Sequence, residues 1–594
     1  MTTVILAEKV SQQTDYAKAF KESTRKTGYY EVLDKDLIND DKVFITSGFG
    51  HLIQLEEPQA YDEKFKKWNI EDLPIIPNDF KYKVTDDKGI KKQFKIVKGL
   101  IDKADTIIIA TDIDREGELI ARLIINQCRP KNNVMIKRLF INSNERDVVR
   151  KGFKDLINAS ERINVYKEAL TRQHSDWLVG INLTRFYTNK INDKNVYPVG
   201  RVQTPTLSLL YNRELEIKNF TPKTYFELEA ITKDDVIFKN TTKINDTNEL
   251  KEIFRQYRIK KETTGIVKDI EYKDKSNSAP KLFNLSDLQI KANNELKISA
   301  SETLATIQSL YEKKFLSYPR TACNYITESE FNYLNTIADE LAEFLSLNQF
   351  TKINNQPRKK YVDSSKVEEH YAIIPTKNIP KKEYEKFNKN EKWCYETVVK
   401  RTLAIFMEDH KYQSSTMTLD INDLLFQING KIIKENGYKD ILTDDKKEDN
   451  ILPNYQKGEK LDVTINPVTK TTKPPKPYNE ATLIKAMINA GNDESIEDSE
   501  DKKILKEVKG IGTEATRANV IETLLKQQYM KNVKNNLEIT DKGRLLCETV
   551  KNTPLSSAKM TADWEKYLSK IGTGEGKREV FIANIEKLLN KIIA

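Results

Sequence analysis

Three acidic residues fall within five positions at Asp112, Asp114 and Glu116, directly after the β-branched run Thr106–Ala110. Hard carboxylate oxygens at a strand end suit Mg2+, which takes one or two carboxylates and keeps several waters. The alternative is that acidic residues simply favour a helix N-terminus. Glu8 bears on that choice, because it ends another early apolar run, Val4–Ala7, and a parallel sheet could set it beside the aspartates. A carboxyl held near other carboxylates has a raised pKa and suits a proton donor. Lys9 adjoins it and could contact a phosphate or be an ordinary solvated lysine. A second cluster lies at Leu316–Thr321, where Tyr318-Pro319-Arg320 could display a phenol and a guanidinium on one side of a turn. Tyrosine is a nucleophile in covalent catalysis, and arginine can grip phosphate oxygens and stabilise transition-state charge. Among 26 tyrosines, a packed tyrosine on a surface turn is the plainer alternative.

These residues need a scaffold. Residues 1–150 read as α/β, with apolar runs at Val4–Ala7, Val43–Thr46 and Thr106–Ala110 and a helix predicted from about Glu118 to Gln127. Residues 160–187 and 285–350 are helical in pattern. Alternation over Tyr225–Thr232 and again over 412–466 predicts half-buried antiparallel strands. One β-domain assembled from two segments, with a helical block inserted between them, accounts for that order. Lys470–Pro477 (KTTKPPKP) reads as a stiff basic linker, followed by helices, and the acidic stretch Asp493–Asp501 as a solvated loop.

Composition excludes several classes. The 594 residues include 98 Lys and Arg against 89 Asp and Glu, a net charge of +9 that permits a polyanionic partner. With 22 Phe, 4 Trp and 26 Tyr, wholesale disorder is excluded. No run approaches the roughly 20 apolar residues of a membrane span. MTTVILAEKV lacks the pattern of a secretory signal, so a cytoplasmic protein without a membrane partner is expected. Cys128, Cys323, Cys394 and Cys547 lie far apart, which excludes a disulfide scaffold and an ordinary zinc ribbon.

Taken together, these motifs resemble the type IA DNA topoisomerases, closest to the bacterial topoisomerase III branch, in family order over nearly the whole chain. Leu6–Lys9, Gly50–Leu52 and Ala110–Glu118 resemble the metal-binding Toprim domain. Asp176–Gly180 and Val199–Thr206 resemble DNA-contacting helices, and Gln308–Glu312 leads into the nucleophile motif at Tyr318. His370–Thr376 resembles the active-site histidine motif, and Gly512–Arg517 and Thr561–Glu565 close the match. The sequence departs at Ala322 and Cys323, where many relatives carry Asp-Ser, and at Glu514, where Pro is frequent. Thr171–Ser175 keeps Arg172 but not the usual flanking residues.

The resemblance implies a multidomain α/β, α and β fold: a Toprim domain followed by a toroid with a central hole large enough for duplex DNA. Its domains would be 1–150 (Toprim, I), 215–277 with 402–471 (β-rich hinge, II), 278–401 (carrying the tyrosine, III) and 151–214 with 472–594 (helical, DNA-binding, IV). It implies ATP-independent, Mg2+-dependent cleavage of one strand through a 5′-phosphotyrosine, strand passage and religation, relaxing negative supercoils and decatenating DNA. Tyr318 would be the nucleophile, Arg320 and Lys9 would stabilise charge, Glu8 would protonate the leaving 3′-oxygen and His370 would contact the scissile phosphate. Glu8, Asp112, Asp114 and Glu116 would hold the metal. His51, Arg172, Arg185, Arg201, Gln203, Thr204 and Arg517 are the DNA-binding candidates, with Trp177 expected in the core. Partners would be single-stranded DNA and DNA with single-stranded regions, with a helicase as a further candidate and a monomer as the expected state. The acidic stretch 493–501 lies where some relatives carry a decatenation loop. Residues 1–150 hold 26 basic and 25 acidic residues and 151–214 hold 10 and 6, as an acidic metal site beside a basic strand-binding segment requires. The rivals are a Toprim nuclease or primase without a tyrosyl intermediate, and a single-strand-binding protein with decayed catalysis.

Overall fold

Val4, Ile5, Leu6 and Ala7 are wholly buried, because the strand they form, β1 (Thr2–Ala7), lies at the centre of a sheet covered on both faces. The computed structural model describes residues 1–141, 146–367, 370–443, 450–490 and 510–594; the acidic stretch 493–501 lies outside them. The seven-stranded sheet runs β2 (Glu22–Lys26), β3 (Tyr29–Leu33), β4 (Lys42–Ser47), β1, β7 (Thr106–Ala110), β8 (Met135–Arg138) and β9 (Ile157–Asn158). Strands β4, β1, β7 and β8 are parallel. The register pairs Ala7 with both Ser47 and Ala110, so the β1, β4 and β7 strand ends are level. A small two-stranded sheet, β5 (Ile53–Leu55) with β6 (Tyr82–Val84), stands apart from it. One face is packed by α2 (Lys88–Ile101) and α3 (Arg115–Cys128), the other by α1 (Val10–Ala19) and α4 (Arg146–Lys154).

Helix α5 (Ile163–Ile191) is 29 residues long, about 43 Å at the usual helical rise, and α6 (Gln203–Lys218) follows it. The chain then enters a closed six-stranded barrel ordered β10 (Thr224–Thr232), β11 (Ile237–Ile244), β14 (Leu424–Glu435), β13 (His410–Ile421), β12 (Glu262–Asn277) and β15 (Lys460–Thr471). Its strands come from two stretches of sequence, and closure leaves no free sheet edge. Helix α7 (Thr247–Gln256) joins β11 to β12. Between β12 and β13 lie α8 (Leu285–Leu296), α9 (Ala300–Glu312), α10 (Glu328–Phe344) and α11 (Lys389–Leu403), built round their own core with α12 (Lys439–Leu442) packed on it. After β15 come α13 (Glu480–Ile488), α14 (Glu514–Lys526), the hairpin β16 (Met530–Val533) and β17 (Asn536–Ile539), α15 (Asp541–Val550), α16 (Ala558–Thr573) and α17 (Arg578–Ile593). These share one core with α5 and α6, through Leu178, Leu183 and Leu207 on one side and Leu483, Ile521 and Trp564 on the other. Among the described residues no helix is long and apolar enough to cross a membrane.

Candidate active site

Strand ends β1 and β7 deliver Glu8 and Asp112 to the same edge of the sheet. Helix α3 begins at Arg115, three residues before the sequence pattern predicts, because Asp114 caps it by accepting from the Gly117 N–H at 2.8 Å. Helix capping, one of the two alternatives for the acidic run, is therefore what Asp114 does in this structure. Gly117 is required by space: a Cβ there would lie 2.2 Å from the Asp112 carbonyl oxygen. Beneath this turn Arg138 is wholly buried; its guanidinium donates to the carbonyls of Ile109, Thr111, Leu139 and Asp112, and its Nε lies 3.2 Å from the buried Glu118 carboxylate.

Tyr318 arrives from the other side. The segment Phe315–Thr321 is tied to 370–376: Ser317 N–H donates to Ile374 O at 2.9 Å, Ser317 Oγ to Ala372 O at 3.1 Å and Thr321 Oγ1 to His370 O at 3.1 Å. The Tyr318 hydroxyl donates to Asp112 Oδ2 at 3.2 Å. Its ring meets that of His370 at 4.3 Å and that of Tyr311 edge-on at 5.5 Å. Lys9 Nζ lies 3.3 Å from Asp112 and 3.4 Å from Glu8, and 5.8 Å from the Tyr318 ring centre. Arg320 is exposed and lines a cavity of about 740 Å³ together with Glu8, Asp112, Asp114, Tyr318 and Arg172.

The electrostatics follow from burial of many carboxylates round one lysine. Burial and the neighbouring Asp112 and Asp114 push the Glu8 carboxyl up to about 7. Asp114 is also raised, by burial and by Asp112. Asp112 is lowered: burial opposes its charge, but Lys9 and hydrogen bonds from Lys9 and Gln12 outweigh it. Burial, with Asp112 and Asp114, holds the Tyr318 phenol well above its ordinary range. Burial also drops His370 to about 4, leaving a neutral imidazole whose two nitrogens have no hydrogen-bond partner among the described residues. His51 sits 3.2 Å from Glu116, a bond that raises the imidazole and lowers the carboxylate.

No three of the acidic, histidine or cysteine side chains converge as a metal cage among the described residues. Each carboxylate has a protein partner instead: Glu116 turns to His51, Asp114 caps α3, and Asp112 accepts from Lys9, Gln12 and Tyr318. The donor set nevertheless fits a hard divalent ion: Glu8 and Asp114 are both raised by burial and by the neighbouring Asp112, a crowding of carboxylate oxygens that a divalent charge would relieve.

Of the candidate strand-binding residues, His51 and Arg172 line the cavity. Arg201 is 3 % exposed and bonded to Asp176 and Glu565, each at 2.8 Å, so its charge is already matched by carboxylates. Arg517 is 1 % exposed and bonded to Glu514 at 2.7 Å, and Thr204 is buried in the first turn of α6, where Gly200 N–H donates to its hydroxyl. These three stand behind the cavity wall rather than on it. Gln203 is half-buried at the start of α6. Arg185 donates to Phe65 O and lies over the Trp68 ring, away from the cavity. Trp177 is packed against Tyr61 and Phe80. Sequence reasoning assigned no role to Arg115 or Glu565, although both lie inside its motifs. Arg115 bridges Glu168 of α5 at 2.7 Å and Glu565 of α16 at 3.0 Å. Burial opposes the Glu565 charge, but Arg115, Arg201 and Arg172 together hold it far below the usual carboxylate range.

Comparison with known proteins follows the same division. The Toprim domain model matches residues 3–144, and a DNA topoisomerase model matches residues 160–583. DNA topoisomerase 3 of Bacillus thuringiensis (strain Al Hakam) is 36% identical, with 100% of this chain and 81% of that protein covered. DNA topoisomerase 3 of Staphylococcus epidermidis (strain ATCC 12228 / FDA PCI 1200) is 35% identical, covering 100% and 82%. The full-length topoisomerase I structure from Thermotoga maritima superposes with a TM-score of 0.70 at 22% identity, over 100% of this chain and 90% of that one, a likeness of fold.

Proposed function

The chain belongs to the type IA DNA topoisomerases, on the topoisomerase III side of the family, and on that premise we propose how its residues carry out the reaction. The observation that carries the proposal is the Tyr318 hydroxyl, 3.2 Å from Asp112 and beside Glu8, Lys9 and His370. Tyr318 Oη attacks the phosphorus of a single-stranded segment, and its proton leaves toward the Asp112 carboxylate that already accepts it. The bond from phosphorus to the 3′-oxygen breaks, and that oxygen takes a proton from Glu8. The DNA is left as a 5′-phosphotyrosine and a 3′-hydroxyl, and the reverse steps religate it without ATP. Arg320 and Lys9 meet the charge that develops on the phosphate. The neutral His370 can donate one N–H to a phosphate oxygen and hold the Tyr318 ring.

Toprim domains bind a divalent metal. Here Glu8, Asp112, Asp114 and Glu116 would hold it, and Mg2+ is the ion their oxygens suit; when bound it supplies charge that aligns the phosphate for religation. Type IA enzymes bind single-stranded DNA, and Arg172 and His51 are the residues on the cavity wall to receive it. We assign residues 1–150, 151–214 with 472–594, 215–277 with 402–471, and 278–401 as the four moving units, round a hole that admits a duplex. Relaxation of negative supercoils, decatenation of partly single-stranded DNA, a monomeric state, a helicase partner and a cytoplasmic site on nucleoid or plasmid DNA complete the reading.

A negatively supercoiled plasmid, incubated without ATP in Mg2+ or in EDTA, tests it. The linking number should change in steps of one in Mg2+ only, with Tyr318→Phe inert. Steps of two, or relaxation by Tyr318→Phe, would overturn it.

A further inference from the structure

A second cleft, of about 680 Å³, opens beside the catalytic cavity between the β2–β3 hairpin and the loop 48–51. Arg25, Lys26, Tyr30, Val10 and Phe49 line it, and among the described residues its lining holds two cations and no carboxylate. Both walls are fixed. The Gly28 carbonyl at the hairpin tip accepts from Gln13 at 3.4 Å, Thr46 at 3.0 Å and Gln93 at 3.1 Å, three side chains from three elements. The opposite loop is bonded to the catalytic strand end: Gly48 N–H donates to Ala7 O at 3.0 Å and Gly50 N–H to Glu8 O at 2.9 Å. Between them Phe49 takes φ +50, a left-handed conformation uncommon for so large a residue, and its ring is 46% exposed. Core burial does not account for an aromatic side chain at this exposed position. Lys26 makes a 3.6 Å pair with the half-exposed Glu31, a weak surface contact that a phosphate can replace.

We propose that this cleft is a further seat for single-stranded DNA, in which an unpaired base stacks on Phe49 while Arg25 and Lys26 meet the phosphates on either side. An exposed aromatic ring flanked by cations is the chemistry of strand binding without base readout. The cleft and the catalytic cavity are served by the same loop: Phe49 lines the one and His51, two residues on, lines the other. The proposed path runs from the scissile phosphate past His51 and on to Phe49. Because stacking needs an unpaired base, the seat favours a single strand over a duplex. The proposal rests on the topoisomerase reading, which supplies the strand.

The test uses the full chain with Phe49→Ala, Phe49→Tyr and the double variant Arg25→Ala/Lys26→Ala. Oligodeoxynucleotides of about 4 to 16 nucleotides, the range of single-strand sites, serve as probes in fluorescence anisotropy. The wild-type chain should gain affinity once the oligonucleotide outruns the catalytic cavity. Phe49→Ala should lose about tenfold of that gain, as expected for one stacked base, and Phe49→Tyr should keep it. The double variant should lower the slope of log affinity against log salt by about 1.4, at about 0.7 per phosphate contact. All should form the covalent adduct normally on the shortest cleavable oligonucleotide. Adduct formation with unchanged length dependence and salt slope would overturn the seat. If Phe49→Ala also loses the short-oligonucleotide adduct, the exposed double variant alone decides. Absence of any adduct in the wild-type chain would instead overturn the topoisomerase reading.

Discussion

Glu8 and Tyr318 are 310 positions apart in sequence, yet both come to one buried cluster with a single lysine among its carboxylates. That arrangement divides the labour between them. Burial holds the phenol well above its ordinary range, and burial with the neighbouring aspartates raises Glu8 to about 7, which suits the proposed roles of nucleophile and proton donor. Glu8→Gln keeps the shape and removes that proton, so cleavage should slow by about 10²–10⁴-fold with oligonucleotide binding unchanged, read by rapid-quench adduct formation. A parallel loss of binding would make Glu8 a binding residue instead. Much of this cluster is legible in sequence, because Glu8, Lys9, Asp112, Asp114, Tyr318, Arg320 and His370 sit in short motifs. What sequence could not show is competition for partners. Arg201 and Arg517 look like free cations in their motifs, and only the fold reveals Asp176, Glu565 and Glu514 against them.

At the level of elements, the active strand ends are held by groups with no chemical motif. Arg138 lies at the end of β8 in a short basic run, where a sequence reading has no reason to bury it. It supports the carbonyls of Ile109, Thr111 and Asp112 and faces the buried Glu118. Arg138→Met should cost about 3–5 kcal/mol in urea unfolding, because it strips a buried carboxylate of one of its partners. Helix α5 shows the same principle in a histidine. His174 is stacked on Phe80 at 3.8 Å, bonded to Tyr82 and accepts from Arg578, and burial with that arginine lowers it to about 3 from its ordinary 6.5. Its folded pKa is depressed, so its share of stability is intact above pH 6.5 and is lost as pH falls from there toward 3. His174→Gln should flatten the pH dependence of the melting temperature in that window; an unchanged slope would assign the acid sensitivity elsewhere. Periodicity reveals the strands and helices themselves: the alternation at 225–232 falls in β10, and that predicted over 412–466 falls in β13, β14 and the start of β15, all in one barrel, with the helix Lys439–Leu442 interrupting it. Barrel closure and the packing of α13 to α17 on α5 and α6 depend on contacts hundreds of residues apart, which no local pattern carries.

Across the whole molecule, the catalytic contact is also a seam. Tyr318 meets Asp112, Lys314 meets Asp15 of α1 at 2.5 Å, and Ser286 at the start of α8 donates its N–H to Glu514 of α14 at 2.9 Å. In the proposed reaction the tyrosine-bearing block separates from the Toprim sheet after the strand is cut, which breaks the Tyr318–Asp112 and Lys314–Asp15 contacts. Joining Asp15→Cys to Lys314→Cys with a short bismaleimide, in a Cys323→Ser background, should leave oligonucleotide cleavage intact and abolish plasmid relaxation. Relaxation by the linked protein would mean that strands pass elsewhere. The central claim is that Tyr318 becomes covalently joined to a 5′-phosphate, and denaturant trapping of the adduct on an end-labelled single-stranded oligonucleotide measures it most directly. The wild-type chain should carry the 3′-labelled fragment through denaturing gel electrophoresis and release a 5′-labelled fragment ending in a 3′-hydroxyl, and Tyr318→Phe should do neither. A labelled adduct in Tyr318→Phe, or cleavage by the wild-type chain with no protein attached, would contradict the account.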